Sequence, residues 1–359
     1  MPCLIESLLL RNAGWRAELR AQMKRFLQAG VLAALVLCLA IPAAAGESGD
    51  PIKVETRPTD FARFMGQRQN FGKLSFRGGL VLKSADDRFG GLSGLAFSDD
   101  GRSLIAVSDD GWWFRADMLY AGGRPSALVN TRIAPILAGN GRRPPTKGRR
   151  DAEAIALDPP GQVGAMVYVG FETLARIEKF DMRADGLTAR PSPVVAPRAL
   201  KRGPRNGQLE AIASLRRGPL KGWLIAVAED NLDANGNIRA WALRGSKSVS
   251  FAIARYDDYE ITDLAVLPDG SLVTIERSFS ASSLPGMAIR KFNLPASLEG
   301  ALVSPELLFS GRQPFYLVDN MEGIAVHQFG DELRISVISD DNYNHAIQST
   351  VLYQFALLP

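Results

Sequence analysis

EAIAL, residues 153–157, is a phrase the chain returns to: an acid or hydroxyl, a small residue, an aliphatic residue, then alanine. It recurs as SGLAF from Ser93, EAIAS from Glu210, TDLAV from Thr262 and EGIAV from Glu322, at steps of 60, 57, 52 and 60 residues. Each copy runs into a turn-like break: SDDGR at 98–102, DPPGQ at 158–162, RRGPLKG at 216–222, PDGS at 268–271 and QFGDE at 328–332. A second apolar stretch follows each break (SLIAVSDD, AMVYVGFE, GWLIAVAED, SLVTIERS, LRISVISDD), and most copies add a third, more polar one, such as ARIEKFDM or TVLYQFAL.

Self-similarity at a long, nearly fixed period is the signature of a repeat architecture. Short strands divided by Gly, Pro and Asp turns, with little helical periodicity, make the repeat all-β. Three or four strands per copy suit the blades of a β-propeller of five or six blades. KLSFRGGLVLKS at 73–84 precedes the first copy and is expected to close the ring by adding an outer strand to the last blade. The propeller domain is then 73–359, with a linker over 46–72.

The first 45 residues read differently. MKRFLQAGVLAALVLCLAIPAAAGE, from Met23, has the basic start, apolar run and small-residue cleavage site of a secretory signal peptide, with cleavage near Ala45. Residues 1–22 are an upstream extension or reflect a start at Met23, and the apolar run is short for a membrane span. The expected location is periplasmic or secreted, with no stable membrane insertion once the signal is removed. Of 42 Lys/Arg and 38 Asp/Glu, five and two lie in 1–45, leaving 37 basic against 36 acidic side chains. That balance gives no nucleic-acid footprint. Both cysteines, Cys3 and Cys38, belong to the leader, so the mature chain has neither disulfide nor thiol chemistry.

The acids follow the repeat. In an antiparallel hairpin the second strand ends beside the start of the first. Those second-strand ends carry Asp109-Asp110, Glu172, Glu229-Asp230, Glu276-Arg277 and Asp340-Asp341, while Glu153, Glu210 and Glu322 open three of the first strands. If the first strands line a central channel, a carboxylate ring gathers at one mouth. Crowded carboxylates share protons, pair with a base or bind a cation, and hard oxygen donors suit Ca²⁺. Arg150 and Arg277 offer the alternative of neutralising the ring, and strand capping is the plain structural alternative for each acid. Two basic loops enter first strands on the same side. One is NGRRPPTKGRR at 140–150, with Arg142, Arg143 and Arg149; the other is RALKRGPRNGQ at 198–208, with Lys201, Arg202 and Arg205. They are placed to hold an anionic ester above a bound cation, or they are simply solvated loops.

Other signals fall short. Ser93 lacks the G-x-S-x-G of a nucleophile elbow. Two histidines, His327 and His345, are too few for a histidine zinc site. NLDANGN at 231–237 copies half of an EF-hand loop, but Ala242 stands where the bidentate Glu belongs.

RDAEAIALDP (150–159), NGQLEAIA (206–213), PFYLVDNMEGIAV (314–326) and SDDNYNHAIQSTVLYQF (339–355) together resemble the phytase-like family of exported bacterial proteins, labelled "esterase-like activity of phytase". That family is distantly similar to the β-propeller phytases. The resemblance implies a Ca²⁺-dependent hydrolase of phosphate or other esters acting on a small anionic ester. It further implies metal held by Glu153, Glu210, Glu229, Glu276, Glu322, Asp340 and Asp341. Glu153, Glu210, Glu322, Arg150 and Arg277 would act in catalysis, and the loop bases with His345 would bind substrate. A non-catalytic binding or scaffold propeller and a metal-dependent sugar lactonase are the alternatives.

Overall fold

The computed structural model describes residues 48–63, 69–202, 207–280, 283–345 and 347–359. The signal-peptide reading of 1–45 and Arg205 lie outside the described residues. Among the described residues no helix is long and apolar enough to cross a membrane.

Five sheets, antiparallel apart from one short parallel pair at the edge of blade 3, form five blades. Their inner strands are Leu92–Phe97, Ala152–Asp158, Leu209–Ser214, Glu260–Val266 and Asn320–Phe329, which are the five copies of the repeated phrase. Each inner strand neighbours the next around a ring, and that of blade 5 neighbours that of blade 1. The second strands are Ser103–Ser108, Met166–Phe171, Leu224–Leu232, Leu272–Ser280 and Glu332–Asp340. Within 46–72, Asp50–Pro51 pairs with the outer strand Arg124–Pro135 of blade 1, and Val54–Thr59 pairs with Leu74–Ser84. Leu74–Ser84 itself runs antiparallel to Thr350–Leu357 in blade 5.

Apolar material is distributed between blades. Sheets covered on both faces need strands apolar on both faces, which is why the second strands read as runs such as LIAV. Five separate clusters result, one per interface: Leu82 and Ile338 against Leu95 and Leu104; Ile105 and Val107 against Ile155 and Val167; Ala156 and Ile177 against Leu209 and Ile212; Ile225 and Val227 against Ile261 and Leu264; Val273 and Ile275 against Ile324 and Ile335. The small second residue of the phrase has a spatial cause. A Cβ on Gly94 would stand 2.7 Å from the Ile155 amide nitrogen, and one on Gly323 would stand 2.5 Å from the Ser93 carbonyl oxygen.

Pairing of the first two strands breaks at one place in every blade. Ala152 faces Phe171 and Ala154 faces Gly170, so Glu153 is left over. Glu210, Thr262 and Glu322 are left over in the same way, and Ser93-Gly94 together oppose Val107. A β-bulge bends the strand and re-aims the extra side chain. The first residue of the phrase is therefore the bulge residue. That is how an acid comes to begin a strand otherwise built for a core.

Candidate metal centre at the channel mouth

The bulges supply one set of mouth residues, Ser93, Glu153, Glu210, Thr262 and Glu322. A second set lies on the second strands, one residue past the partner of the residue that precedes each bulge: Asp109, Glu172, Glu229, Arg277 and Asp340. The backbone fixes this second set. The amides of Asp109, Glu172 and Glu229 donate to the carbonyls of Gly91, Asp151 and Gln208, each just ahead of its inner strand, at 2.9, 2.9 and 3.2 Å. The five positions correspond; blade 1 has Ser93 at its bulge, and blade 4 alone has no acid at either position, with Thr262 and Arg277 there.

Among the described residues two groups of three carboxylates result. Asp151, Glu153 and Glu172 each bring one oxygen to within 4.8 Å of the others, and so do Glu172, Glu210 and Glu229. Glu172 belongs to both. Ca²⁺ to oxygen distances of about 2.4 Å place opposite ligands about 4.8 Å apart, so the spacing suits one ion. Burial, reinforced by neighbouring negative charge, pushes the Glu153 carboxyl far above its usual range, with Asp151 and Asp109 contributing. Burial does the same to Glu210, with Glu229, Glu153, Glu172 and Glu322 adding to it. Asp340 is raised for like reasons. Glu322 is lifted by burial to about 7 although Arg277 pulls the other way.

Two bases are already spent on the ring. Arg277 donates to Glu322, to Glu229 at 2.8 Å and to Asn320 at 2.6 Å. Lys147 reaches Asp109 at 2.6 Å and Asp151 at 2.7 Å. Between them lie Glu153, Glu172 and Glu210. Glu172 accepts from the Gly207 amide and meets the carboxyl of Glu210. Asp109 Oδ1 is buried with no hydrogen-bond partner among the described residues.

The remaining expected site residues are placed as follows. Glu276 lies away from the mouth, since neighbours on a strand point to opposite faces; it accepts from Arg290 and Thr274, both at 2.7 Å, inside the blade. Asp341 is the hub of its own loop, accepting from Gly91, Tyr343, His345 and Thr350. His345 is held by that contact, at 3.0 Å. Arg150 and Arg143 both grip Asp110, and Arg143 stacks 4.3 Å from the Trp112 ring. Arg142 and Arg149 are exposed beside a cleft of about 330 Å³ that Arg143, Leu174 and Arg176 also line. Lys201 and Arg202 are exposed on the turn at Arg198–Lys201 leading towards blade 3. Asp233, in the EF-hand-like stretch, accepts from the amides of Asn235 and Asn237, which makes a closed turn.

Sequence reading placed Asp109 and Glu172 in the ring, at the position of Glu229, without assigning them as ligands. It passed over Asp151 and Lys147, which flank Glu153 without any periodic signal. It also passed over Asp263, which takes the small position of the phrase in blade 4. Its buried carboxylate accepts from Leu264 at 2.8 Å, from Ile324 of blade 5 at 2.9 Å and from Leu95 of blade 1, tying three blades together below the mouth.

Fold and mouth together define a five-bladed β-propeller with a carboxylate-lined channel entrance. The chain belongs to the phytase-like family, described as "esterase-like activity of phytase", whose model matches residues 87–343. No curated protein matches the chain. Among solved structures, "Structure of U3-55K" is similar at 11% identity and a TM-score of 0.38, covering 77% of this chain and 98% of that one.

Proposed function

We propose that the chain is an exported, cation-dependent hydrolase of phosphate or other esters, with Ca²⁺ held at the arc of Glu153, Glu172 and Glu210. The observation that carries this reading is the pair of carboxylate groups that share Glu172, namely Asp151, Glu153 and Glu172 and then Glu172, Glu210 and Glu229, each with oxygens within 4.8 Å of one another. Among the described residues Asp151 and Glu229 are ion-paired with Lys147 and Arg277, while Glu153, Glu172 and Glu210 have no basic partner. The donor set fits a hard ion. Every candidate ligand is a carboxylate, and neither imidazole nor thiolate stands among them, which disfavours zinc. When bound, such a cation polarises an ester oxygen and acidifies a water molecule.

The chain's own groups supply the rest. Arg277 holds one oxygen of Glu322, fixing that carboxyl in the mouth. With its pKa near 7, Glu322 can take up and return a proton at its other oxygen under neutral conditions. Arg142 and Arg149, exposed on the loop entering blade 2, and Lys201 and Arg202, exposed on the turn leading towards blade 3, are the bases left to meet an anionic substrate. Arg143 and Arg150 are not free for that role because Asp110 engages both. The same pairing favours a second reading, hydrolysis of an uncharged ester such as a sugar lactone, which needs fewer bases.

The test is product release from phosphate monoesters and from lactones, measured in Ca²⁺ and then in EDTA. Calcium-dependent phosphate release that disappears in Glu172→Gln supports the first reading. Lactone opening without phosphate release selects the second, and no turnover of either class removes both.

A further inference from the structure

We propose that the mouth takes a single divalent cation, that Arg277 sets this number by occupying a second arc of the ring as a resident cation, and that Lys147, on the third arc, competes with the ion for Asp151. The inference rests on the cation reading above but goes beyond it, because it concerns how many ions the ring accepts and which residue decides that.

The ten corresponding positions carry Glu153, Glu210 and Glu322 on the bulges and Asp109, Glu172, Glu229 and Asp340 on the second strands. With Asp151 beside them, that is more negative charge than one divalent ion balances. The excess is not spread evenly. Lys147 spans Asp109 and Asp151, between blades 1 and 2. Arg277 enters from blade 4 and spans Glu229 of blade 3 and Glu322 of blade 5. Each places a positive charge between two carboxylates, Arg277 where a second ion would otherwise sit. The arc left over is that of Glu153, Glu172 and Glu210. Glu210 is 6% exposed and receives no N–H bond among the described residues; its polar neighbour is another carboxyl, that of Glu172. Two carboxyls in contact need a shared proton or a cation between them.

The two bases differ in permanence. Arg277 is joined to both acids and to Asn320 and stands on a strand, so it is a fixed occupant. Lys147 stands on the short turn Lys147–Arg150 with about half of its side chain exposed, and Asp151 also belongs to the neighbouring carboxylate group. Lys147 therefore competes with the ion for Asp151.

Calorimetric titration of the purified protein with CaCl₂ tests this. One ion is expected for the wild type, and Glu172→Gln should weaken its binding by at least about tenfold. Arg277→Gln should bind two ions, the second among Glu229, Glu322 and Asp340, whereas Arg277→Lys, which keeps the charge, should bind one. Lys147→Gln should still bind one ion, several-fold more tightly. Circular dichroism confirms that each variant is folded, and Arg277→Lys carries the comparison if Arg277→Gln is not. Two ions in the wild type, two in Arg277→Lys, or one in folded Arg277→Gln overturns the proposal and leaves the hydrolase reading standing. No ion in the wild type removes the cation reading. A gain of one ion in Arg277→Gln would then still uphold the counter-ion role, and no gain would remove that too.

Discussion

Glu276 and Arg277 are adjacent, both charged and both where their strand ends its pairing with the inner strand of blade 4, yet they do opposite work. Glu276 is 0% exposed and Arg290 3% exposed, so their ion pair is sealed within blade 4. Removing one partner of such a pair strands the other charge in the interior. Glu276→Gln is expected to cost about 3–5 kcal/mol of stability, measured by urea unfolding, while the number of Ca²⁺ ions bound per folded molecule stays the same. A change in that number would return Glu276 to the ring. Asp263 makes a parallel case without a basic partner. Asp263→Ala strips the amides of Leu264, Ile324 and Leu95 of their acceptor. A loss of about 3 kcal/mol is expected, since each orphaned buried amide costs about 1–3 kcal/mol. Unchanged urea midpoints would show that the three amides find other acceptors.

The bulged hairpin is the element that turns a repeat into a site. Its extra residue is set by backbone pairing, since Ser93, Thr262 and three glutamates all occupy the equivalent place. Substituting that residue and deleting it should then have different results. Glu153→Ala is expected to fold with a cooperative thermal transition and weakened Ca²⁺ binding. Deleting Glu153 leaves Ala152 and Ala154 facing Phe171 and Gly170 as a regular ladder, which removes the bend and local twist that the bulge gives the strand entry; a melting temperature clearly below that of Glu153→Ala is expected. A deletion variant as stable as Glu153→Ala would show that the bulge is dispensable. This element also marks how far the sequence could be read. The phrase, its spacing, the hairpins and the gathering of acids at one mouth were legible because they recur. What could not be read was which of two neighbouring charges faces inward, since a bulge resets the alternation by one residue and leaves no mark in composition. The pairing of Arg143 and Arg150 with Asp110 was equally hidden, because the partners are about 30–40 residues apart and meet only once blades 1 and 2 pack side by side.

Across the whole molecule the raised carboxyls act as one load on stability. A group whose pKa is higher folded than unfolded stabilises the fold below its unfolded pKa, and that contribution is lost as pH rises through the folded value. Glu322, with a folded value of about 7, and Glu153, Glu210 and Asp340, all raised, have this sign. In EDTA the melting temperature is therefore expected to fall between pH 5 and pH 8, approximate limits set by the ordinary Glu value and the Glu322 value. Saturating Ca²⁺ should reverse that fall, because the ion binds the deprotonated ring. Differential scanning fluorimetry at the two pH values checks both, and a melting temperature that rises with pH in EDTA would contradict the ring's electrostatics. Five apolar interfaces carry the fold, and none of them depends on which side chain sits at a bulge. Scaffold and chemistry are thus separately inheritable: a lineage can rewrite its mouth one position at a time, trading acid for hydroxyl or base, without renegotiating the packing that holds the blades together.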